Sequence, residues 1–248
     1  MTKSSGLGHR LIVGGYDLSG DVNSPALSGG PALLVDTGID KFAFERLGGV
    51  RDGSLGCTAF FNPGPEADAA HAVLSLLPRT DIYPLYCCGS TAGVPAACVP
   101  SKQVNYDGTR GDDGAFTFAV SAQANGFGLE WGNLITPVRR TDTAATTGAS
   151  YDTGAAHTHG LQAYLQVGAF TGTDATVKVQ DSADNVTFAD LAGGAFTTIT
   201  AGRQAQRIQT GRTATVRRYL RAVTTTTGGF TSLVLTVMAN VNTVETRF

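Results

Sequence analysis

Apolar and polar residues alternate with a period of two over most of the chain, the spacing that puts successive side chains on opposite faces of a strand. The pattern is cleanest in the second half. There "LQAYLQVGAF", "ATVKVQDS", "NVTFADL", "FTTITAG", "QAQRIQT", "VRRYLRAVTTT" and "FTSLVLTVMANV" follow one another with Asp, Asn and Gly in the breaks. Short strands at such regular intervals predict a β-sandwich. The break "DSADN" predicts a hairpin turn. In "VRRYLRAV" the alternation places Val216, Arg218, Leu220 and Ala222 on one face, and Arg217, Tyr219, Arg221 and Val223 on the other.

The first half mixes strands with one change of period. "HRLIVGGYDLSGDV", "KFAFERLGG", "SLGCTAFFNPG", "DIYPLYCCGS", "AACVPSKQVNYDG" and "AFTFAVSAQANGFGLEWGN" read as strands and turns, with "DGTRGDDG" as a mobile loop. Between them Ala70, Val73, Leu74 and Leu77 fall at helical spacing. Pro65, Glu66 and Asp68 suit the start of a helix and Pro78 its end, which predicts one amphipathic helix near residues 65–77, about three turns long. Residues 139–155 lack apolar periodicity and are rich in Thr, Ala, Gly and Ser, so they read as a linker. The expected organisation is a β domain with one packed helix over 1–138 and an all-β sandwich over 156–248.

Composition sharpens this picture. Of 248 residues only 15% are charged while 32 are Gly. Soluble domains usually carry about 25% charge, so this chain has turns and Thr-covered strands where others carry Lys and Glu, and surfaces suited to cover by neighbours. A net charge of −2 argues against a nucleic-acid grip, which needs clustered Lys and Arg. Leu11 to Val13 is too short for the apolar part of a signal peptide, and no segment approaches a membrane span. The expected compartment of synthesis is therefore a cytoplasm, with Cys57, Cys87, Cys88 and Cys98 reduced.

Candidate chemistry is thin. His157 and His159 in "HTHG" share a strand face, but no carboxylate or cysteine completes a metal set. The cysteines lack the paired hooks of a zinc site, and His71 has no motif linking it to a nucleophile. Asp17, Ser19 and Asp21 in a Gly-bounded turn lack the ligand spacing of a calcium loop, and Asp112 and Asp113 read as a solvated tip. Neither a nucleotide loop nor a Ser-His-Asp elbow appears. The expectation is no catalytic residue, no metal, no cofactor and no enzyme: a protein that works by shape and assembly.

The order of segments over residues 8–137 adds to this. "IVGGYDLSGDVNS", then "FAFERLGGVRDGSLGCTAFFNPG", then "EADAAHAVLSLLPRTD", then "FTFAVSAQANGFGLEWG" resembles the major tail (tail tube) proteins of long-tailed bacteriophages. "LQAYLQVGAFTGTDATVKVQDSADNVTFADL" is similar to the β-sandwich modules that virion proteins carry as decoration. The resemblance implies a virion subunit, assembled in the host cytoplasm, that forms stacked hexameric rings around a DNA channel. It also implies tape measure, tail terminator and distal tail proteins as partners, with genomic DNA passing unbound and no membrane involved. Candidate inter-subunit contacts are Tyr16, Asp17, Asn105, Tyr106, Asp107, Arg110, Asp112 and Asp113. Loops at 105–114, 20–36 and 87–103 are expected to order against neighbouring subunits. The alternative is a decoration or minor tail protein whose C-terminal sandwich binds a host glycan through exposed aromatics such as Tyr164, Phe188 or Tyr219. A third reading, an enzyme, needs His71 or His157 beside a nucleophile in a cleft.

Overall fold

The computed structural model describes residues 5–64 and 68–245. Nearly every run of alternating residues becomes a strand, and the protein is mainly β. In chain order the strands are β1 (Arg10–Val13), β2 (Tyr16–Asp17), β3 (Val22–Val35), β4 (Arg46–Phe60), β5 (Leu85–Cys87), β6 (Pro95–Cys98), β7 (Ser101–Arg110), β8 (Phe116–Ala124) and β9 (Glu130–Leu134). They continue with β10 (Arg140–Asp142), β11 (Tyr151–Asp152), β12 (Leu161–Gly172), β13 (Thr176–Ser182), β14 (Ala189–Ala195), β15 (Gln204–Gln209), β16 (Tyr219–Thr225) and β17 (Phe230–Val241). Among the described residues one helix, α1 (Ala70–Leu74), interrupts them.

Three antiparallel sheets result. The largest runs β15-β12-β17-β9-β6-β5-β1-β2, with β10 also paired to β17. It crosses from the C-terminal to the N-terminal half where Met238 and Ala239 of β17 face Leu134 and Asn133 of β9. Two four-stranded sheets cover it, β11-β16-β13-β14 on the C-terminal half and β3-β4-β8-β7 on the N-terminal half. Between the large sheet and β11-β16-β13-β14 lies a core of Leu161, Leu165, Val177, Val179, Leu220 and Leu235, all fully buried. A second core, including Leu11, Leu18, Leu55, Ala59, Leu74 and Phe118, lies under β3-β4-β8-β7. A third joins the halves, with Tyr164 and Met238 packed on Leu85, Cys98 and Leu134.

β12 explains the joint. Its first eight residues, Leu161–Gly168, are all buried, polar ones included. A strand covered on both faces must satisfy its own amides. Gln166 does so across the halves: it accepts from Gly15 N at 2.8 Å and donates to Tyr83 O at 2.5 Å.

Several expectations need correction. The helix spans five residues rather than three turns. Leu77 sits at φ +43°, a left-handed conformation that ends the helical path, and its side chain is 45% exposed. Pro65 and Glu66, expected at the helix start, lie outside the described residues. Residues 139–155, expected to link, are tied down instead: β10 pairs with β17, β11 pairs with β16, and Thr147 bridges Val223. "FTTITAG" forms a single bridge, Ile199 to Ala175, rather than a strand. The expected loops at 20–36 and 105–114 are mostly strand, in β3 and β7, and 87–103 holds β6 and the start of β7. Glycine-rich text reads as loop because Gly is permissive, yet paired neighbours hold it extended here. The "DSADN" turn joins β13 to β14 as expected, with Asp181 opposite Ala189.

Candidate functional site

The sheet β3-β4-β8-β7 stands apart from the rest in what it leaves uncovered. From Ser54 to Phe60, β4 is paired on both sides, with β3 and β8. From Gly30/Asp52 to Val35/Arg46, β3 and β4 continue as a two-stranded arm, roughly 20 Å long at about 3.4 Å per residue. Leu34 and Leu47 face each other on one side of this arm, and Leu33 and Val35 lie on the other. All four are more than half exposed, and Ile39 and Phe42 in the connecting loop are fully exposed. A ribbon apolar on both faces is unlike an ordinary solvated hairpin.

The two long edges of this sheet also lack partners among the described strands. β3 is one edge and β7 the other, where only Ser101 meets a further residue, Ile82. Pro25 and Pro31 interrupt the donors of β3, which limits the stretch able to pair outward to residues 26–30. The face away from the core is mostly small and polar: Asn23, Ser28, Ser54, Thr58, Thr117, Ser121 and Gln123 share it by register, with Phe60 opposite Thr117 at its end. Asn105 and Asp107 of β7 join them, opposite Ser121 and Ala119. Lys102, opposite Gln123, is the cation on this face, and Asp81 pairs with it at 2.8 Å. That pairing, with Asn125, holds the Asp81 carboxyl below its usual range. A shallow depression of about 350 Å³ lies at the base of the arm, lined by residues including Ser28, Asp52, Ser54 and Gln123.

The sequence-predicted contact residues fall in two places. Tyr16 and Asp17 lie on β2, at the end of the large sheet. Arg203 stacks over the Tyr16 ring at 4.5 Å, and Asp17 takes the Ser19 hydroxyl at 2.5 Å and Arg10 at 3.5 Å. The others follow β7 and its turn. Asn105 donates to Asp107 at 2.9 Å, while its own Oδ1 is buried without a donor. Tyr106 points to the core side, stacked on Phe118 at 4.1 Å and bonded to His71 Nδ1 at 3.0 Å. Arg110 ends β7, and Asp113 accepts from Ala115 N at 3.0 Å in the turn that also holds Asp112. The arm itself was missed; its signal was the unbroken apolar content of "ALLV" and "FAFERL" on either side of a polar turn.

The remaining chemical candidates resolve into structure. His71 is enclosed by Tyr106, Phe61 and Phe118 rather than beside a nucleophile. His157 pairs through its backbone with Val216. No group of three metal-ligating side chains occurs among the described residues. Burial pushes the Cys57 thiol up to about 11 and the Cys87 thiol up to about 12, away from thiolate chemistry. Tyr164, expected on the surface, is fully buried: its hydroxyl donates to Glu130 Oε2 at 2.5 Å, and Arg207 closes the triad on Glu130 Oε1 at 3.2 Å. Burial drives the Tyr164 phenol far above its usual range. Phe188 carries Arg221 over its ring at 3.9 Å, and Tyr219 carries Arg218 at 5.1 Å, so the three aromatics do not form one exposed face.

No protein-family model and no curated protein matches the sequence. Among solved structures, the chain is similar to one from the tail of an empty gene transfer agent particle with C6 symmetry. That match has 13% identity and a TM-score of 0.38, and covers 52% of this chain and 97% of the other. It is also similar to the Dit protein of phage SPP1, described as a hub adsorption apparatus, at 15% identity and a TM-score of 0.32 over 94% and 99% of the two chains. A chain of the phage p2 baseplate in its activated conformation aligns at 9% identity and 0.32 over 94% and 98%. Similarity at this level carries no role over to this chain.

Proposed function

We propose that the chain is a structural subunit of a phage tail that assembles into rings, stacked around a channel through which DNA passes. The observation that carries this reading is the sheet β3-β4-β8-β7, with two free long edges and one small, polar face. A sheet with unpaired edges on both sides joins head to tail, β3 of one copy to β7 of the next, and a constant rotation closes the chain of copies into a ring.

Ring closure puts one face of the sheet inward. The polar face suits a DNA channel: hydroxyls and amides, with Asp52, Asp107 and a Lys102 already neutralised, offer phosphate nothing to hold. The opposite face is the apolar core and stays covered. Sixfold symmetry, tape measure, terminator and distal tail partners, and a virion location belong to the same reading.

The test is negative-stain electron microscopy of the purified chain at high concentration. Rings or stacked rings with an open centre are the expected result. Monomers at every concentration would sink the reading and move the glycan-binding alternative forward, where Phe188, Tyr219 and Arg221 on β11-β16-β13-β14 are the side chains to probe.

A further inference from the structure

Among the asparagines of the sequence, Asn125 alone is followed by glycine. An asparagine is lost when the backbone nitrogen of the next residue attacks its side-chain amide, and glycine, with no Cβ, leaves that nitrogen the least hindered. The fold decides whether the attack is open.

Asn125 begins the connection between β8 and β9 and is exposed. Gly126 is exposed as well, at φ +77°, and a Cβ built on it would meet nothing within 4 Å. Among the described residues its N–H has no acceptor. The nitrogen is therefore neither crowded nor engaged. Its target is anchored: Asn125 N donates to Pro100 O at 2.8 Å, and Asn125 Nδ2 donates to Asp81 Oδ1 at 2.8 Å. Two other asparagines show the contrast. Asn23 lies inside β3 before Ser24, whose N–H is already given to Asn23 Oδ1 at 2.7 Å. Asn62 precedes Pro63, whose nitrogen carries no hydrogen to give up.

We propose that Asn125–Gly126 is a site of spontaneous deamidation in the folded protein, which places a carboxylate beside Asp81 and Lys102. Base removes the Gly126 amide proton and the nitrogen bonds to Asn125 Cγ. The Cγ–Nδ2 bond breaks, and Nδ2 takes up a proton and leaves as ammonia. Water then opens the five-membered imide: addition at Cγ gives aspartate, and addition at the main-chain carbonyl gives the isoaspartyl linkage. One water is consumed and one ammonia released. The product no longer donates to Asp81. Lys102 Nζ, 2.8 Å from that same Asp81 oxygen, is then faced by two carboxylates, and each copy gains one negative charge beside the cation of the polar face. The chemistry is independent of the ring reading, which adds only that the new charge stands at the channel wall.

The test incubates the full-length wild type in mildly alkaline buffer, folded and in urea, and follows the tryptic peptide 111–139 by fragmentation mass spectrometry, with an isoaspartyl assay alongside. Asn133, in the same peptide and followed by Leu134, is the internal control. The expected result is an amide-to-acid mass gain at Asn125, partly as isoaspartate, at least about tenfold faster than at Asn133, with the folded rate no lower than about a tenth of the rate in urea. A folded chain that keeps Asn125 while the urea sample loses it overturns the proposal, because the fold then shields the site. Gly126→Asn keeps a residue that tolerates a left-handed backbone and should slow the conversion at least about tenfold. An unchanged rate in that variant overturns attack by the Gly126 nitrogen, and running the same pair in urea makes this reading independent of how the variant folds.

Discussion

The large sheet and the β3-β4-β8-β7 sheet are built from similar alternating text, yet one is finished within a single copy and the other is not. In the centre of the large sheet, β12 is buried on both faces, and Gln166 is bonded inside through both its Oε1 and its Nε2. In the other sheet, β3 has no buried residue along its length and the arm shows leucines to solvent on both sides. The contrast teaches where stability and where assembly reside: a residue of the first acts on folding, a residue of the second on association.

The largest effect is expected where the halves meet. Glu130 and Arg207 are 1% and 8% exposed at the side chain, bonded to each other and to Tyr164. Glu130→Ala strands a buried guanidinium and should cost about 3–5 kcal/mol in chemical denaturation. Glu130→Leu with Arg207→Met removes both charges and should cost less than the single change. If the double variant is the worse of the two, the triad is not the electrostatic joint described here.

Paired leucine truncations sharpen the contrast next. Leu235 is fully buried in β17, so Leu235→Ala should lose about 2–5 kcal/mol with assembly of the remaining folded chain unchanged. Leu34→Ala in the arm should shift the stability of the isolated chain by no more than about 0.5 kcal/mol and still lower association. Equal losses from both would erase the distinction.

Thiol labelling reads the same difference more gently. Cys57 lies in β4, while Cys87 and Cys98 lie in the large sheet; all three are buried, and Cys88 is half-buried. A maleimide should label Cys88 first in the native chain. In mild denaturant Cys57 should follow before Cys98, because a sheet with little covered surface opens at lower free energy. Simultaneous labelling of Cys57 and Cys98 would indicate one cooperative unit.

The same contrast shows what the sequence makes legible. Strands of the C-terminal half such as β13 were readable because they alternate against one core, as Val177 and Val179 do between Lys178 and Gln180. β12 was placed correctly, yet Tyr164 was expected outside, since period two does not reveal that a second layer covers the far face. The helix was over-read because Leu77 keeps helical spacing in sequence while its backbone turns left-handed. Arg218 was assigned to an apolar face, but β16 begins one residue later and the guanidinium turns out to Asp152 at 2.7 Å. Asn105 and Asp107 were expected as inter-subunit contacts from a Gly-rich stretch read as a loop, and they lie on β7, whereas the arm was hidden in text that reads as two ordinary strands.

The smallest effect is expected at the β13–β14 turn, where Asp184 accepts from Val186 N at 2.9 Å and Thr187 N at 2.8 Å. Those backbone donors hold its carboxyl well below the usual carboxylate range, with the Ser182 hydroxyl adding to them. A carboxyl depressed in the folded state adds stability above its unfolded value, near 3.9, and loses it as pH falls through the folded one. Asp184→Asn should therefore lower Tm slightly at neutral pH, and the gap to wild type should narrow below about pH 4 and close under strong acid. The turn is fully solvated, so salt should trim the gap too, and ring assembly should not change. A gap that widens on acidification would mean that Asp184 is held by something other than the donors of its turn.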